Sequence, residues 1–455
     1  MRKRPIYIAI AVALIAAAIG FIAFRPDRAA KVAAGVAAQT VCSYVFVSGQ
    51  PADARADEML GAIMGPAATI IHYGIDANSK SVEARFGFLT RASSHFSPGY
   101  GCRLDAAENT PLPAPPPSET APPNDGFAPP SPVISADVSL NAALDRVFDE
   151  RPDATPKRVK AVVVVKDGRV VAERYAPGFS PDTPVRSFSV AKSFTNALLA
   201  ILVRDGRLAM DAPLNPLEWR TPGDPRAAIT FEELLRMESG LDAGETGSGF
   251  DPVSRMLYAA PDAAGFAASR PIKEKPGEFF EYTSADTLLL DRWLGEALGG
   301  PAGLTAFAER ELFAPLGMHN VTLEFDGRGV FVGSERVFAT PRDFARFGML
   351  FLNDGVAPDG RRILPEGWVA WSRRSTLGAP YGAGFWTLDG PSKFAARWAD
   401  AGFPKDGFFA SGNLGQRIYI APSQKLVIAR FGYSAPPAFG IFDDIALIAA
   451  AIKAN

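Results

Sequence analysis

Ser189 and Lys192 stand three residues apart in "RSFSVAKSFTNALLAILVRDGRL" (186–208). At that spacing on a helix, two side chains share a face. A helix N-terminus carries positive partial charge and free N–H groups, which favour a serine alkoxide or an oxyanion nearby. A desolvated lysine amine can lose its proton and act as a base. Nucleophilic chemistry by a serine with an amine partner is therefore one reading. An N-cap serine followed by a lysine that reaches solvent is the other. The remaining inventory bears on the choice. The chain has three histidines, His72, His95 and His319, and no GxSxG stretch, so a Ser-His-Asp site has little support. There is no CxxC, no HExxH and no close histidine pair, so neither a metal site nor a metal cofactor is expected. No organic cofactor is implied either.

Elements are needed to hold such a pair. Phe194, Ala197, Leu198, Ile201 and Leu202 recur at i, i+3, i+4, i+7 and i+8, which predicts a helix with one buried stripe, ended by Gly206. Upstream, "VSLNAALDRVFDE" predicts an amphipathic helix with Leu140, Ala143, Leu144 and Val147 on one face. "KAVVVVKDGRVVAERYAPG" contains two β-branched runs around Asp167-Gly168, a hairpin signal. "QRIYIAPSQKLVIARFG" predicts a second hairpin turning at 421–424, and "FDDIALIAAAIKA" a final helix. Strands at both ends, a mainly helical middle and a last helix predict an α+β fold, an antiparallel sheet flanked by helices.

The 455 residues exceed what one core usually organises. A formal net charge of −2, without a long basic run in the body, excludes nucleic acid as an expected partner. "MRKRP" precedes an uncharged apolar run from Pro5 to Phe24. Its 20 residues would make a helix about 30 Å long, enough to cross a bilayer. Arg2, Lys3 and Arg4 would remain cytoplasmic and the rest would lie in the periplasm or outside the cell. The alternative is a signal peptide cleaved after Val36-Ala37-Ala38, giving a secreted protein. Either way Cys42 and Cys102 reach an oxidising compartment, where they are expected to pair. "PLPAPPPSETAPPNDGFAPPSP" (111–132) reads as an extended connector. Four regions result: an anchor or signal segment (1–26), a small module (27–110), a proline-rich linker (111–136) and a large domain (137–455). In the small module "VCSYVFVSG" and "SKSVEARFGFL" read as strands.

The large domain resembles the penicillin-recognising serine hydrolases, in the branch of class C β-lactamases, serine esterases and 6-aminohexanoate-dimer hydrolases. The resemblance rests on Ser189-Val190-Ala191-Lys192 and on five further stretches in the family's order. These are "ITFEELLRMESGLD" (229–242), "KPGEFFEYTSADTLLL" (275–290), "LFAPLGMHN" (312–320), "ATPRDFARFGMLFLNDG" (339–355) and "ASGNLGQRIYI" (410–420). It implies a β-lactamase/transpeptidase-like fold in which Ser189 becomes acylated while Lys192 and Tyr282 move the protons. Which of the two is the base stays open. The N–H groups of Ser189 and Asn413 would form the oxyanion hole, with Ser284 and Gly412 beside the substrate. Tyr381, Phe385 and Trp386 either line the acyl pocket or pack in the core nearby.

Two departures matter. Tyr282-Thr283-Ser284 replaces the Tyr-x-Asn of β-lactamases, and Ala410-Ser411-Gly412 lacks the cation that usually opens the third motif. The resemblance therefore implies an ester or small amide as substrate, with no cofactor. A penicillin-binding D,D-peptidase or β-lactamase is the first alternative, and a membrane-anchored binding protein without catalysis the second. Oligomeric state is not legible.

Overall fold

A computed structural model describes residues 25–454 except 53, 89, 117–125, 152–154 and 436–440. The apolar run at 5–24, with the anchor expected there, lies outside the described residues.

The first described element is a helix, α1 (Pro26–Phe46), followed by α2 (Ala54–Met64) and an antiparallel sheet in sequential order. Its strands are β1 (Ile71–Asp76), β2 (Ser81–Phe86), β3 (Thr90–Ser97) and β4 (Gly101–Leu104). The stretch 81–86 is thus a strand, but 41–46, expected as a strand, forms the last turns of α1. Val41, Tyr44 and Val45 favour extended chain locally. Every residue from Ala34 to Tyr44 is nevertheless buried, and the packing of the helix overrides a weak local preference. Cys42 and Cys102 are joined in a disulfide with Cα atoms 6.0 Å apart, which pins α1 to β4. α1 is long and apolar enough to cross a bilayer, yet 72% of its apolar window is buried inside the protein. It is a core helix of this fold.

The next helix, α3 (Val138–Phe148), buries Leu140, Ala143, Leu144 and Val147. Strands β5 (Val159–Lys166) and β6 (Arg169–Tyr175) form the first hairpin. The short β7 (Val185–Arg186) leads to the central helix, α4 (Ala191–Arg204). A mainly helical stretch follows, including α5 (Pro252–Ala259) and α6 (Ser284–Leu298). After it come β8 (Thr322–Leu323) and β9 (Val337–Ala339), which form a three-stranded sheet with β7 in the order β7-β9-β8. α7 (Pro341–Leu352) starts on a Thr340 cap whose hydroxyl accepts from the Asp343 N–H. The chain closes with β10 (Trp386–Thr387), α8 (Lys393–Asp400), β11 (Phe408–Gly412), β12 (Gln416–Ala421), β13 (Leu426–Gly432) and α9 (Ile441–Lys453).

The main sheet is antiparallel, in the order β10-β11-β12-β13-β5-β6. Both its faces are covered, which explains why β5 reads as continuous valine instead of alternating with polar residues. Val162 and Val164 pack with α3 and α9, while Val163 and Val165 face α4 and the helical half. Residues 126–136 run beside β6, where Val170 donates to the Phe127 carbonyl and Glu173 to the Val133 carbonyl, both at 2.9 Å. That coil protects a sheet edge. α4 exceeds its expected single stripe: every residue from Ala191 to Leu202 is buried. Its polar positions are satisfied internally, as when Thr195 donates to Asp291 at 2.7 Å and Ser193 to the Gly384 carbonyl at 2.7 Å.

Candidate active site

Three residues after β7 begins, the chain makes a tight 3-10 turn, Phe188–Val190, that runs straight into α4. Phe188 has φ +44°, a left-handed conformation that costs a bulky residue about 1–3 kcal/mol and persists only where surroundings enforce it. Here Ser187 donates from its hydroxyl to the Phe188 carbonyl at 3.0 Å, and the Arg186 guanidinium stacks 4.5 Å from the Phe188 ring. The turn presents Ser189, half-buried, directly ahead of the helix.

Lys192 is 1% exposed. Its Nζ donates to Ser189 Oγ at 3.1 Å, to Ser284 Oγ at 3.0 Å and to the Ser334 carbonyl at 3.0 Å. All three donors are used inside the protein, so this lysine does not reach solvent, and the N-cap of α4 is Val190, not Ser189. Burial pushes the Lys192 amine below its ordinary pKa, against the upward pull of Glu245, Glu335 and Asp291.

Tyr282 arrives from a different direction. It lies at the end of an irregular run tied to 237–243, where Glu281 donates from its backbone to Met237 at 2.9 Å and Thr283 from its hydroxyl to Ala243 at 2.6 Å. Thr283 also caps α6. The Tyr282 ring sits 4.8 Å from Lys192 Nζ. Burial, reinforced by Glu245, raises the phenol far above its ordinary value; Ser189 and Arg417 partly offset this.

Strand β11 supplies the third wall. A Cβ at Gly412 would lie 2.4 Å from the Ser187 carbonyl, so only glycine lets the strand end this near the serine turn. Asn413 follows immediately. Ala410 and Ser411 leave the strand end without charge. The cation that acts on Tyr282 is Arg417, opposite Ser411 on β12, whose Nη1 donates to the carbonyls of Gly412 and Gln416 at 3.0 and 2.8 Å. Tyr381 packs edge-on against Tyr282 with centroids 5.4 Å apart, and Trp386 lies 5.8 Å from it. Phe385 stands apart from these two: it packs on Phe351 and Phe408 within the core.

Several members of this constellation carry no spacing signal. Glu245 accepts from the Ser284 backbone N–H at 2.6 Å, but it lies in the irregular stretch after "SGLD" and looks like any loop acid. Ser334 contributes only a main-chain carbonyl, which any residue type would supply. The histidines are engaged elsewhere where partners are recorded: His95 with Asp105 on the small sheet and His319 with Asp343.

The arrangement has counterparts. The β-lactamase family profile matches residues 144–452, well over half of the chain. The 6-aminohexanoate-dimer hydrolase of Paenarthrobacter ureafaciens is 26% identical over 312 residues, covering 64% of this chain and 77% of that protein. Penicillin-binding protein 4 of Amycolatopsis lactamdurans is 28% identical over 292 residues, covering 54% and 71% respectively. Among solved structures, EstCE1, a hydrolase with promiscuous acyltransferase activity, shares the fold with a TM-score of 0.56 at 17% identity, over 70% of this chain and 99% of that one. The chain is a serine hydrolase of the β-lactamase family.

Proposed function

We propose that the protein cleaves an ester or small amide through an acyl-Ser189 intermediate, and that it does so outside the cytoplasm, anchored by residues 5–24. The observation that carries the reaction is one serine hydroxyl held at 3.1 Å by a fully buried lysine, whose Nζ lies 4.8 Å from the Tyr282 ring. The opposite pKa displacements support one division of roles. Lys192, pushed down, is the group that becomes a free amine and takes the Ser189 proton. Tyr282, pushed up, stays protonated and is a proton donor.

In the acylation step Ser189 Oγ bonds to the substrate carbonyl carbon as its proton moves to Lys192 Nζ. The carbonyl oxygen becomes an oxyanion held by the N–H groups of Ser189 and Asn413. The bond to the leaving oxygen or nitrogen then breaks, that atom takes a proton from Tyr282, and the lysine proton replenishes the phenol. Water reverses the sequence and releases the acid. Ser284 orients Lys192, Gly412 admits the substrate beside the serine, and Tyr381 and Trp386 support the face of Tyr282 and the acyl group.

The preference for a neutral ester or amide rests on Ala410 and Ser411, which offer no cation to a substrate carboxylate. A D,D-peptidase is the second reading, favoured by the similarity to a penicillin-binding protein. Export is supported by Arg2, Lys3 and Arg4 ahead of the apolar run and by the disulfide. Cleavage after Ala38 would cut α1 in its middle, where Ala37 and Ala38 are fully buried, and this favours the uncleaved anchor.

The test is hydrolysis of short-chain p-nitrophenyl esters, with fluorophosphonate labelling, by the wild type and by Ser189→Ala, Lys192→Ala and Tyr282→Phe. Loss of turnover in all three supports the scheme. Turnover or labelling that survives Ser189→Ala refutes it, and stable labelling by fluorescent penicillin in place of ester turnover selects the peptidase.

A further inference from the structure

The residues behind the serine turn belong to a buried charge cluster that crosses from the large domain into the small module. Arg186, Glu335 and Arg336 are all buried. Arg186 Nη2 donates to Glu335 Oε1 at 3.0 Å and to the Tyr258 hydroxyl at 3.2 Å, and that hydroxyl donates to Glu335 Oε2 at 2.6 Å. Arg336 adds a bond from its Nε to Glu335 Oε1 at 3.0 Å and another to the Leu257 carbonyl at 2.6 Å. The other Arg186 terminal nitrogen, Nη1, donates to Thr40 Oγ1 at 3.1 Å. Thr40 lies on α1.

A second contact group lies beside the first. Glu324 is buried and accepts from the Ser43 hydroxyl and the Cys102 backbone N–H, both at 2.7 Å, and from the Gln39 amide at 2.5 Å. Gln39 and Ser43 are on α1, and Cys102 carries the disulfide. The Glu324 backbone exchanges hydrogen bonds with Arg336 and Val332, the chain that continues through Ser334. The module is also seated at backbone distance: a Cβ at Gly35 would lie 2.0 Å from the Tyr258 carbonyl.

The first group adjoins the segments that carry the proposed reacting residues. Arg186 is three residues before Ser189 and stacks on Phe188, the strained residue of its turn. Glu335 follows Ser334, whose carbonyl accepts from Lys192. A buried arginine needs partners for its donors, since an unpaired buried charge is costly. Without Thr40 the guanidinium has a reason to move, and the Phe188 turn loses one of the contacts that over-determine it.

We infer that the small N-terminal module is a working part of the catalytic centre, in which Thr40 acts as a positioning residue that holds Arg186, and through it the Phe188–Ser189 turn, in register with Lys192. The inference rests on the acyl-Ser189 reading for its kinetic consequence, but its structural consequence is independent of any substrate. The module is then more than an accessory that orients the enzyme on a membrane: the site is incomplete without it.

The experiment compares the full chain with Thr40→Val, Thr40→Ser and Val36→Ala. Valine preserves the shape of threonine and removes the acceptor; serine keeps the acceptor; Val36→Ala trims a buried α1 side chain that makes no hydrogen bond in the cluster. Two readouts are taken: ester kinetics, and deuterium exchange of the peptides spanning 186–192 and 334–338. We expect Thr40→Val to lower kcat about tenfold, since small misplacements of reacting groups are costly, with KM within about twofold of wild type, and to speed exchange in both peptides. Thr40→Ser restores both, and Val36→Ala changes neither. Exchange in Thr40→Val equal to wild type, or an equal effect of Val36→Ala, overturns the inference. A wild type that neither turns over esters nor labels with fluorophosphonate would refute the acyl-serine reading, while the exchange data would still decide whether α1 holds the turn.

Discussion

The proposed site is built from two halves of unlike construction. Ser189 and Lys192 are presented by a turn and a helix in which every residue from Ala191 to Leu202 is buried. Tyr282 and Glu245 are presented by irregular chain, lashed together through Thr283 to Ala243, Ser239 to Asp286 and Ser284 to Glu245. Within α4 the geometry comes from backbone periodicity and close packing, which tolerate the loss of one polar contact, unlike the Phe188 turn ahead of it. The loop half takes its geometry from individual hydrogen bonds, each of which sets a position. Structural damage should therefore appear as lost stability inside α4 and as lost rate in the loop half.

The largest effect tests whether the halves act as one unit. Lys192→Ala and Tyr282→Phe are each expected to lower kcat by about 10²–10⁴-fold, the usual worth of a positioned proton-transfer group. The double variant should lose little more than the worse single one, because groups that serve one step are not additive. Multiplicative losses in ester kinetics would show that the halves work separately.

Next in size is a paired substitution. Thr195→Val removes the bond to buried Asp291 on the helical side and is expected to cost about 1–3 kcal/mol of stability, with kcat changed less than about threefold. Thr283→Ala removes the α6 cap and the tie to Ala243. It should cost only about 1 kcal/mol yet reduce kcat more than Thr195→Val does. Thermal denaturation and steady-state kinetics on both variants decide, and the reverse ranking would break the comparison.

Glu245→Gln probes the loop half electrostatically. Glu245 raises both Lys192 and Tyr282, so removing its charge lowers both. In the proposed scheme Lys192 must be deprotonated, hence the acidic limb of the kcat/KM pH profile should move to lower pH. An immobile limb would show that solvent screens this carboxylate.

The smallest effect concerns the support behind the helical half. Burial raises Glu324 to about 7. A carboxyl whose pKa is higher in the folded than in the unfolded chain binds more protons when folded, so stability should fall as pH rises from about 4.5 to about 7. Glu324→Gln should flatten that slope of melting temperature against pH.

The two halves also differ in how far the chain itself discloses them. The Ser189–Lys192 pair is legible because three residues on a helix define a shared face whatever surrounds them. The hairpin at 159–175 is legible because Asp167-Gly168 accepts the turn geometry that few residues do. Tyr282 was visible only through resemblance of its surrounding stretch, since a lone tyrosine near an irregular run has no spacing to read. Glu245 was invisible for the same reason. At 41–46 local preference misled: Val41, Tyr44 and Val45 favour strand, and only the packing of α1 against the body made them helix.

By itself the sequence determined the elements whose hydrophobic period matches their own backbone repeat, and the place of Ser189 at a helix start. Tertiary structure alone decided that α4 is buried all round, that Lys192 is desolvated and that Thr40, far before Ser189 in the chain, stands behind its turn. The physical reason is one of range. Periodicity and turn chemistry act between near neighbours, whereas desolvation and the pairing of buried charges depend on which distant segments are folded against the same atom.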